Sequence, residues 1–344
     1  MHGEKFRLNV LNPGGGDEEQ HFGSTAPVGA RLHAPVNFHA YAACTGGSWC
    51  RDTRTIKPGD PVLLLLRGDF RASARALKAL KKSRAQVAVS LKETGLHQIA
   101  KQMGDPARLA RFLQILKEAD GCIGATPESA EIYRALRGGS KGVRWIATPY
   151  PIHDPQWDFS RPMEERRGIL VGTREWEVPS RNHFAALCMA KNISDATGEI
   201  VTVFNLDGRK GERGLRTLGF RSDQLRVLKG SLEYTKYLKV VAEHKIVFQL
   251  DASFVPGQVA GDALLCRLPC VGGNGAIERQ AFPDFCGTER AMGELVEIAI
   301  GLLQDARVYK EAVIGSQQRA AERLSFSAGA QQLRAFFHEA IASK

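Results

Sequence analysis

Apolar residues along this chain fall into short continuous runs separated by longer stretches in which they recur every three or four positions. Such alternation predicts parallel strands covered by helices. Phe6 to Leu11 reads as a first strand and breaks at Asn12-Pro13-Gly14-Gly15-Gly16. An irregular stretch follows, with turn signals at Gly46-Gly47 and Pro58-Gly59, before Pro61 to Leu66 reads as a buried strand. Next come a helix from about Phe70 to Ser83, a strand over Gln86 to Ser90, and helices around Leu96 to Met103 and Pro106 to Glu118. A strand at Gly121 to Gly124, a helix from Pro127 and a strand over Val143 to Thr148 complete this half.

The segment Tyr150-Pro151-Ile152-His153-Asp154-Pro155 and the charged Glu164-Glu165-Arg166-Arg167 read as a linker, after which the alternation restarts. Strands are predicted at Gly168 to Gly172, Ile200 to Asn205, Leu225 to Leu228, Lys245 to Leu250 and Cys270 to Gly272. Helices are predicted at Asn182 to Ser194, Leu232 to Glu243 and Gly261 to Cys266, and the long remainder is mostly helical. The reading is α/β, with two Rossmann-like doubly wound domains, 1–160 and 161–325, facing a cleft.

A length of 344 residues and a hydrophobic share of 43% agree with two domains of about 150 residues each. The longest apolar run ends at Arg67, far short of the ~20 residues a membrane-spanning helix needs. Glu4, Lys5 and Arg7 leave no apolar leader at the start, and the seven cysteines are odd in number with no C-x-x-C pair. A reducing, cytoplasmic setting is therefore expected. The net charge of +10 predicts an anionic partner: nucleic acid, a membrane surface or a phosphate-bearing small molecule.

Three places carry candidate chemistry. Gly14-Gly15-Gly16 follows a strand, so its backbone can approach a phosphate or sugar closely, or it is simply a turn. Gly172-Thr173-Arg174, with Arg181 before the next helix, can converge on a diphosphate, since guanidinium forks match phosphate oxygens, or is a solvated loop with ordinary surface arginines. In the run from Asp251 to Gly273, a strand enters a loop at Gly257-Gln258-Val259 and then a helix carrying Asp262. Amides there can hold phosphate, and the carboxylate can accept both ribose hydroxyls or merely complement the helix dipole.

These residues in this order resemble the donor domain of GT-B glycosyltransferases, particularly the family 4-like retaining group. Gly172-Thr173-Arg174 with Arg181 corresponds to the family's Gly-Arg step and later basic residue. Leu228-Lys229-Gly230 and Val247-Phe248-Gln249-Leu250 match its middle unit, and Leu268-Pro269-Cys270-Val271-Gly272 its last strand. Gly273-Asn274-Gly275-Ala276-Ile277-Glu278 resembles its glycine turn. Counting back from Pro269 puts Asp262 at the second glutamate of Glu-x7-Glu, whereas the first falls on Phe254. The first half resembles the family's acceptor domain more loosely, with Lys92-Glu93 where the family often has His-Asp.

The resemblance implies transfer of a sugar from a nucleotide diphosphate sugar to a carbohydrate or lipid-linked hydroxyl, with retention and without a metal or other cofactor. It implies donor contacts at Gly172, Arg174, Arg181, Lys229, Gly257, Gln258, Val259 and Asp262, and an acceptor or phosphate loop at Gly14, Gly15 and Gly16. Glu93 is the candidate catalytic group, or a surface carboxylate. The last helix, 326–344, is expected to return to the first domain. Phe70 to Arg84 carries six basic residues and no acid, with Arg71, Arg75, Lys78 and Lys82 on one face. That stripe fits a solvated helix or peripheral contact with an anionic membrane. Two other classes remain: a catalytically impaired GT-B binding module, motivated by Phe254, and a nucleic-acid binder. The near-even charge, +6 in residues 1–165 and +4 in the rest, tells against the last.

Overall fold

Val62, Leu64 and Leu66 are packed into one hydrophobic layer and Leu63 and Leu65 into another, and all five are fully buried. A strand with no solvent face requires cover on both sides. The computed structural model describes residues 6–23, 32–172 and 176–341 and supplies that cover. The chain divides into two units, Met1–Gln156 with Arg323–Lys344, and Trp157–Glu322.

In the first unit, strands β1 (Asn9–Leu11), β2 (Gln20–His21), β3 (Ser48–Cys50), β4 (Pro61–Leu66), β5 (Gln86–Leu91), β6 (Gly121–Gly124) and β7 (Val143–Trp145) form one sheet in the order β2-β3-β1-β4-β5-β6-β7. Every pairing is parallel except β2 with β3. One layer is filled by Leu77 and Leu80 of helix Arg71–Lys82, Phe112 and Ile115 of helix Pro106–Glu118, and Tyr133 of helix Pro127–Arg137. The other holds Phe38 and Tyr41 of helix Asn37–Ala43, Trp49, and Leu333 and Phe336 of helix Phe326–Phe336. Ser325, ahead of that last helix, bridges to Tyr150. Helix Arg71–Lys82 buries Ser73, Ala76, Leu77 and Leu80 and exposes Arg71, Arg75, Lys78, Lys81 and Lys82, so the basic stripe faces away from the sheet. Asp69 and Asp120 neutralise Arg71 and Lys81 in part, at 3.1 and 2.6 Å.

The second unit contains β8 (Ile169–Val171), β9 (Val201–Asn205), β10 (Leu225–Lys229), β11 (Ile246–Phe248) and β12 (Cys270–Val271), all parallel, in the order β10-β9-β8-β11-β12. The chain starts in the middle, winds to one edge and crosses to the other, so its switch point lies between β8 and β11. Helices His183–Thr197 and Met292–Gln304 press Ala186, Ala190, Ile193, Leu295 and Ala299 onto Val171, Val203 and Phe248.

Two stretches differ from the sequence expectation. The segment read as irregular after the first strand contains β2, helix Asn37–Ala43 and β3, and the first strand itself begins only at Asn9. A helix over Gly208–Thr217 was not expected, because three glycines and a single leucine leave almost no apolar period to read. Among the described residues no helix is long and apolar enough to cross a membrane, and no group of three His, Cys, Asp or Glu side chains converges as a metal site.

Candidate functional site

The switch point of the second sheet is built by close backbone approach. A Cβ on Gly172, just past β8, would lie 2.5 Å from Cγ1 of Val259, so glycine there lets the start of helix Gln258–Leu265 come against the strand end. Gly257 precedes that helix at φ +94°, and a Cβ on it would lie 2.0 Å from Oε2 of Glu278. Gly172, Gly257, Gln258 and Val259, four of the expected donor residues, are thus brought together, and the helix N-terminus presents amide dipoles there.

Charge in this cluster is held by partners. Arg181 pairs with the carboxylate of Asp251, whose other oxygen accepts the Ser253 amide at 2.8 Å. The side chains of the pair are 17% and 4% exposed, so the guanidinium is fixed rather than swinging in water. The loop after β11 is tied on both sides. Asn182 Nδ2 donates to the Leu250 carbonyl at 3.0 Å and Ser253 Oγ to Ser180 Oγ at 2.7 Å. From the other side the Phe254 amide donates to Asn274 Oδ1 at 2.9 Å. Phe254 itself adopts φ +51°, and the Arg279 guanidinium sits 5.5 Å from its ring centroid.

Beneath the glycine turns lies Glu278, 1% exposed, accepting from Gln249 Nε2 at 2.8 Å through Oε1. Burial, reinforced by the charge of Asp251, pushes its carboxyl up to about 7. Its Oε2 has no hydrogen-bond partner among the described residues.

Asp262 is 1% exposed in helix Gln258–Leu265 and accepts the hydroxyl of Tyr234, the first residue of helix Tyr234–Ala242. The Tyr234 ring lies 6.0 Å from that of Trp157 and 6.2 Å from that of Tyr237. Lys229 closes β10 and is exposed, its ammonium 2.7 Å from Glu212. Arg174 lies outside the described residues.

Gly14, Gly15 and Gly16 follow β1 in the first unit, where Arg67 Nη1 donates to the Gly14 carbonyl at 3.3 Å. Glu93 stands two residues past β5, and its backbone carbonyl accepts Gln102 Nε2 at 3.1 Å. Sequence reading missed Asp251 as the partner of Arg181, Tyr234 as the partner of Asp262, and the burial of Glu278. Only the Asp251 position carried a usable signal, a lone carboxylate ending an apolar strand.

No family model and no curated protein matches the chain by sequence. Solved structures do match in shape. HepE of Anabaena in complex with UDP and glucose superposes with a TM-score of 0.62 at 13% identity, over 97% of this chain and 99% of that one. Trehalose-6-phosphate from E. coli, bound with UDP-2-fluoro glucose, gives 0.61 at 9% identity over 83% and 74%. The trehalose-phosphate synthase of Burkholderia vietnamiensis gives 0.60 at 11% over 84% and 72%. At these identities the likeness is one of architecture, and the chain has the GT-B glycosyltransferase fold.

Proposed function

We propose that the chain is a glycosyltransferase that moves a hexosyl group from a nucleoside diphosphate sugar to an acceptor hydroxyl. The reading rests chiefly on one constellation at the switch point of the second sheet: Arg181 braced by Asp251, the helix start at Gly257-Gln258-Val259, and Asp262 held by Tyr234. Arg181 and the amides would neutralise the diphosphate as the bond to the sugar C1 breaks and the leaving oxygen keeps the electron pair. Asp262 would accept the ribose hydroxyls. Because HepE of the same fold is bound to UDP and glucose, UDP is the first nucleotide to try. The reading includes retention, taken from the family resemblance. It also includes metal independence, because Arg181 and the amides supply the neutralising charge. The exposed stripe Arg71, Arg75, Lys78 and Lys82 would rest on an anionic membrane at the cytoplasmic side, near a lipid-linked or polysaccharide acceptor.

Calorimetric titration with UDP tests the donor site. Arg181→Ala and Asp262→Ala should each weaken binding by about 10-fold to 100-fold, the worth of a charge-assisted hydrogen bond. Failure of every nucleoside diphosphate to bind, or unchanged affinity in both variants, would sink the reading. Phe254, standing where the family has its first glutamate, favours a second reading, a nucleotide-sugar-binding module without turnover. Tight binding with neither transfer nor slow hydrolysis would select it.

A further inference from the structure

Three glycines of the second unit close on one carboxyl group. A Cβ on either Gly257 or Gly275 would run into Oε2 of Glu278, and one on Gly273 would lie 3.1 Å from its Oε1. Bare backbone at these positions lets the turns settle directly on the side chain. Oε1 accepts Gln249 Nε2, whereas Oε2, equally buried, has no hydrogen-bond partner among the described residues. Buried polar atoms are nearly always paired, so an unanswered carboxyl oxygen under these turns needs a reason. Gly257 supplies one, because it leads into the helix start Gln258-Val259 whose amides face an incoming anion.

The charges around Glu278 are few and can be named. Burial, helped by the Asp251 carboxylate, raises its carboxyl to about 7 against the opposing pull of the Gln249 hydrogen bond and the Arg181 guanidinium. Cys270 of β12 lies beside it, its own thiol pushed well above the ordinary range by burial, so it stays neutral. Helix Gln258–Leu265 carries one charged residue, Asp262, which accepts the Tyr234 hydroxyl. A second anion arriving at the Gly257 turn would therefore meet Glu278 in an enclosed, weakly screened setting. Two unit charges about 8 Å apart, at an effective dielectric of about 20, shift an equilibrium by about 30-fold.

We propose that Glu278 is a proton-linked positioning residue of the donor turn: it takes up a proton from solvent as a nucleoside diphosphate binds, and its ionisation at higher pH weakens that binding. The assignment rests on the donor reading and uses residues of the second unit alone. In the neutral acid nothing opposes the ligand's charge from beneath Gly257, and the helix amides remain aimed at the phosphates. In the carboxylate a buried negative charge competes for the same dipoles. Linkage makes the effect reciprocal, so an anion that prefers the neutral acid must raise the affinity of Glu278 for its proton. No bond of the ligand is made or broken, and the proton returns to solvent when the nucleotide leaves.

Calorimetric titration of the full chain with UDP, in buffers of different protonation enthalpy, reads the proton count. At about pH 7.5 the parent should take up roughly 0.5 to 0.7 proton per UDP, and its affinity should fall by about 5-fold to 10-fold between about pH 7.5 and 9. The ligand is already ionised over that range, since a terminal phosphate loses its second proton near about pH 6. Glu278→Gln should bind with the same enthalpy in every buffer and hold its affinity within about twofold across the range. Without any variant, the Glu278 carboxyl carbon resonance should move toward its protonated position as UDP is added. The proposal is overturned if UDP binds the parent with no proton uptake, if Glu278→Gln takes up as many protons as the parent, or if that resonance stays still. Failure of every nucleoside diphosphate to bind at either end of the pH range would remove the donor reading as well, which tells the two failures apart.

Discussion

The glycine turn after β1 and the glycine turns around Glu278 stand at equivalent ends of their two sheets, yet the fold pairs their polar side chains to different extents. In the second unit, Gln249 reaches Glu278, Asp251 holds Arg181, and Asn274 caps the Phe254 amide. The loops there are braced against one another. In the first unit, Asn12, His39 and Trp49 bury polar atoms that nothing described in the fold answers. A site for a highly charged group gains from holding its cations in place beforehand, because reorganising them during reaction costs energy.

The sharpest way to break this contrast is to add a methyl group to each turn. Gly257→Ala sets a Cβ against Glu278 at φ +94° and should destabilise by roughly 2 to 6 kcal/mol in urea unfolding, with UDP binding lost. Gly16→Ala meets nothing within 4 Å and should stay within about 0.5 kcal/mol. Equal tolerance at both positions would show that the second-unit turn is not braced.

A pH series on Glu278→Gln sharpens it further. The Glu278 carboxyl rises from its ordinary 4.5 to about 7 on burial, so the neutral form suits the site. Its stabilising state is complete below pH 4.5 and is lost as pH rises through about 7. At about pH 8 the folded parent bears a cost on the order of 3 kcal/mol that the glutamine variant avoids. Unfolding curves of the two proteins should diverge between pH 5 and 8, and parallel curves would place the proton elsewhere. The smallest effect belongs to Asn12→Leu. Removing a buried amide that is already unpaired should change stability by less than about 1 kcal/mol or raise it, and a larger loss would reveal a hidden partner.

What the sequence disclosed follows from the range of each signal. Pro61–Leu66 announces itself because six successive residues are read at once, and helix Arg71–Lys82 because its leucines and basic residues separate cleanly by period. Gly172 and Val259 were named as donor residues, but their contact depends on two chain segments more than eighty residues apart. Glu278 entered only as a landmark of a turn, since nothing in Ala276-Ile277-Glu278 says that the side chain points inward. His39 and Trp49 lay in a stretch too short in period and too rich in glycine to yield elements, so their stacking had no sequence trace.

The return of the chain to its first unit has a consequence for synthesis. Leu333 and Phe336 complete the hydrophobic layer that holds Val10, Leu63 and Leu65, but a ribosome delivers them only after all of Trp157–Glu322 has emerged. The second unit is free to fold while the first still lacks one wall, and the earliest-made strands must wait for nearly the last-made helix. Removing that helix should therefore damage the segment translated first, leaving the one translated just before it intact.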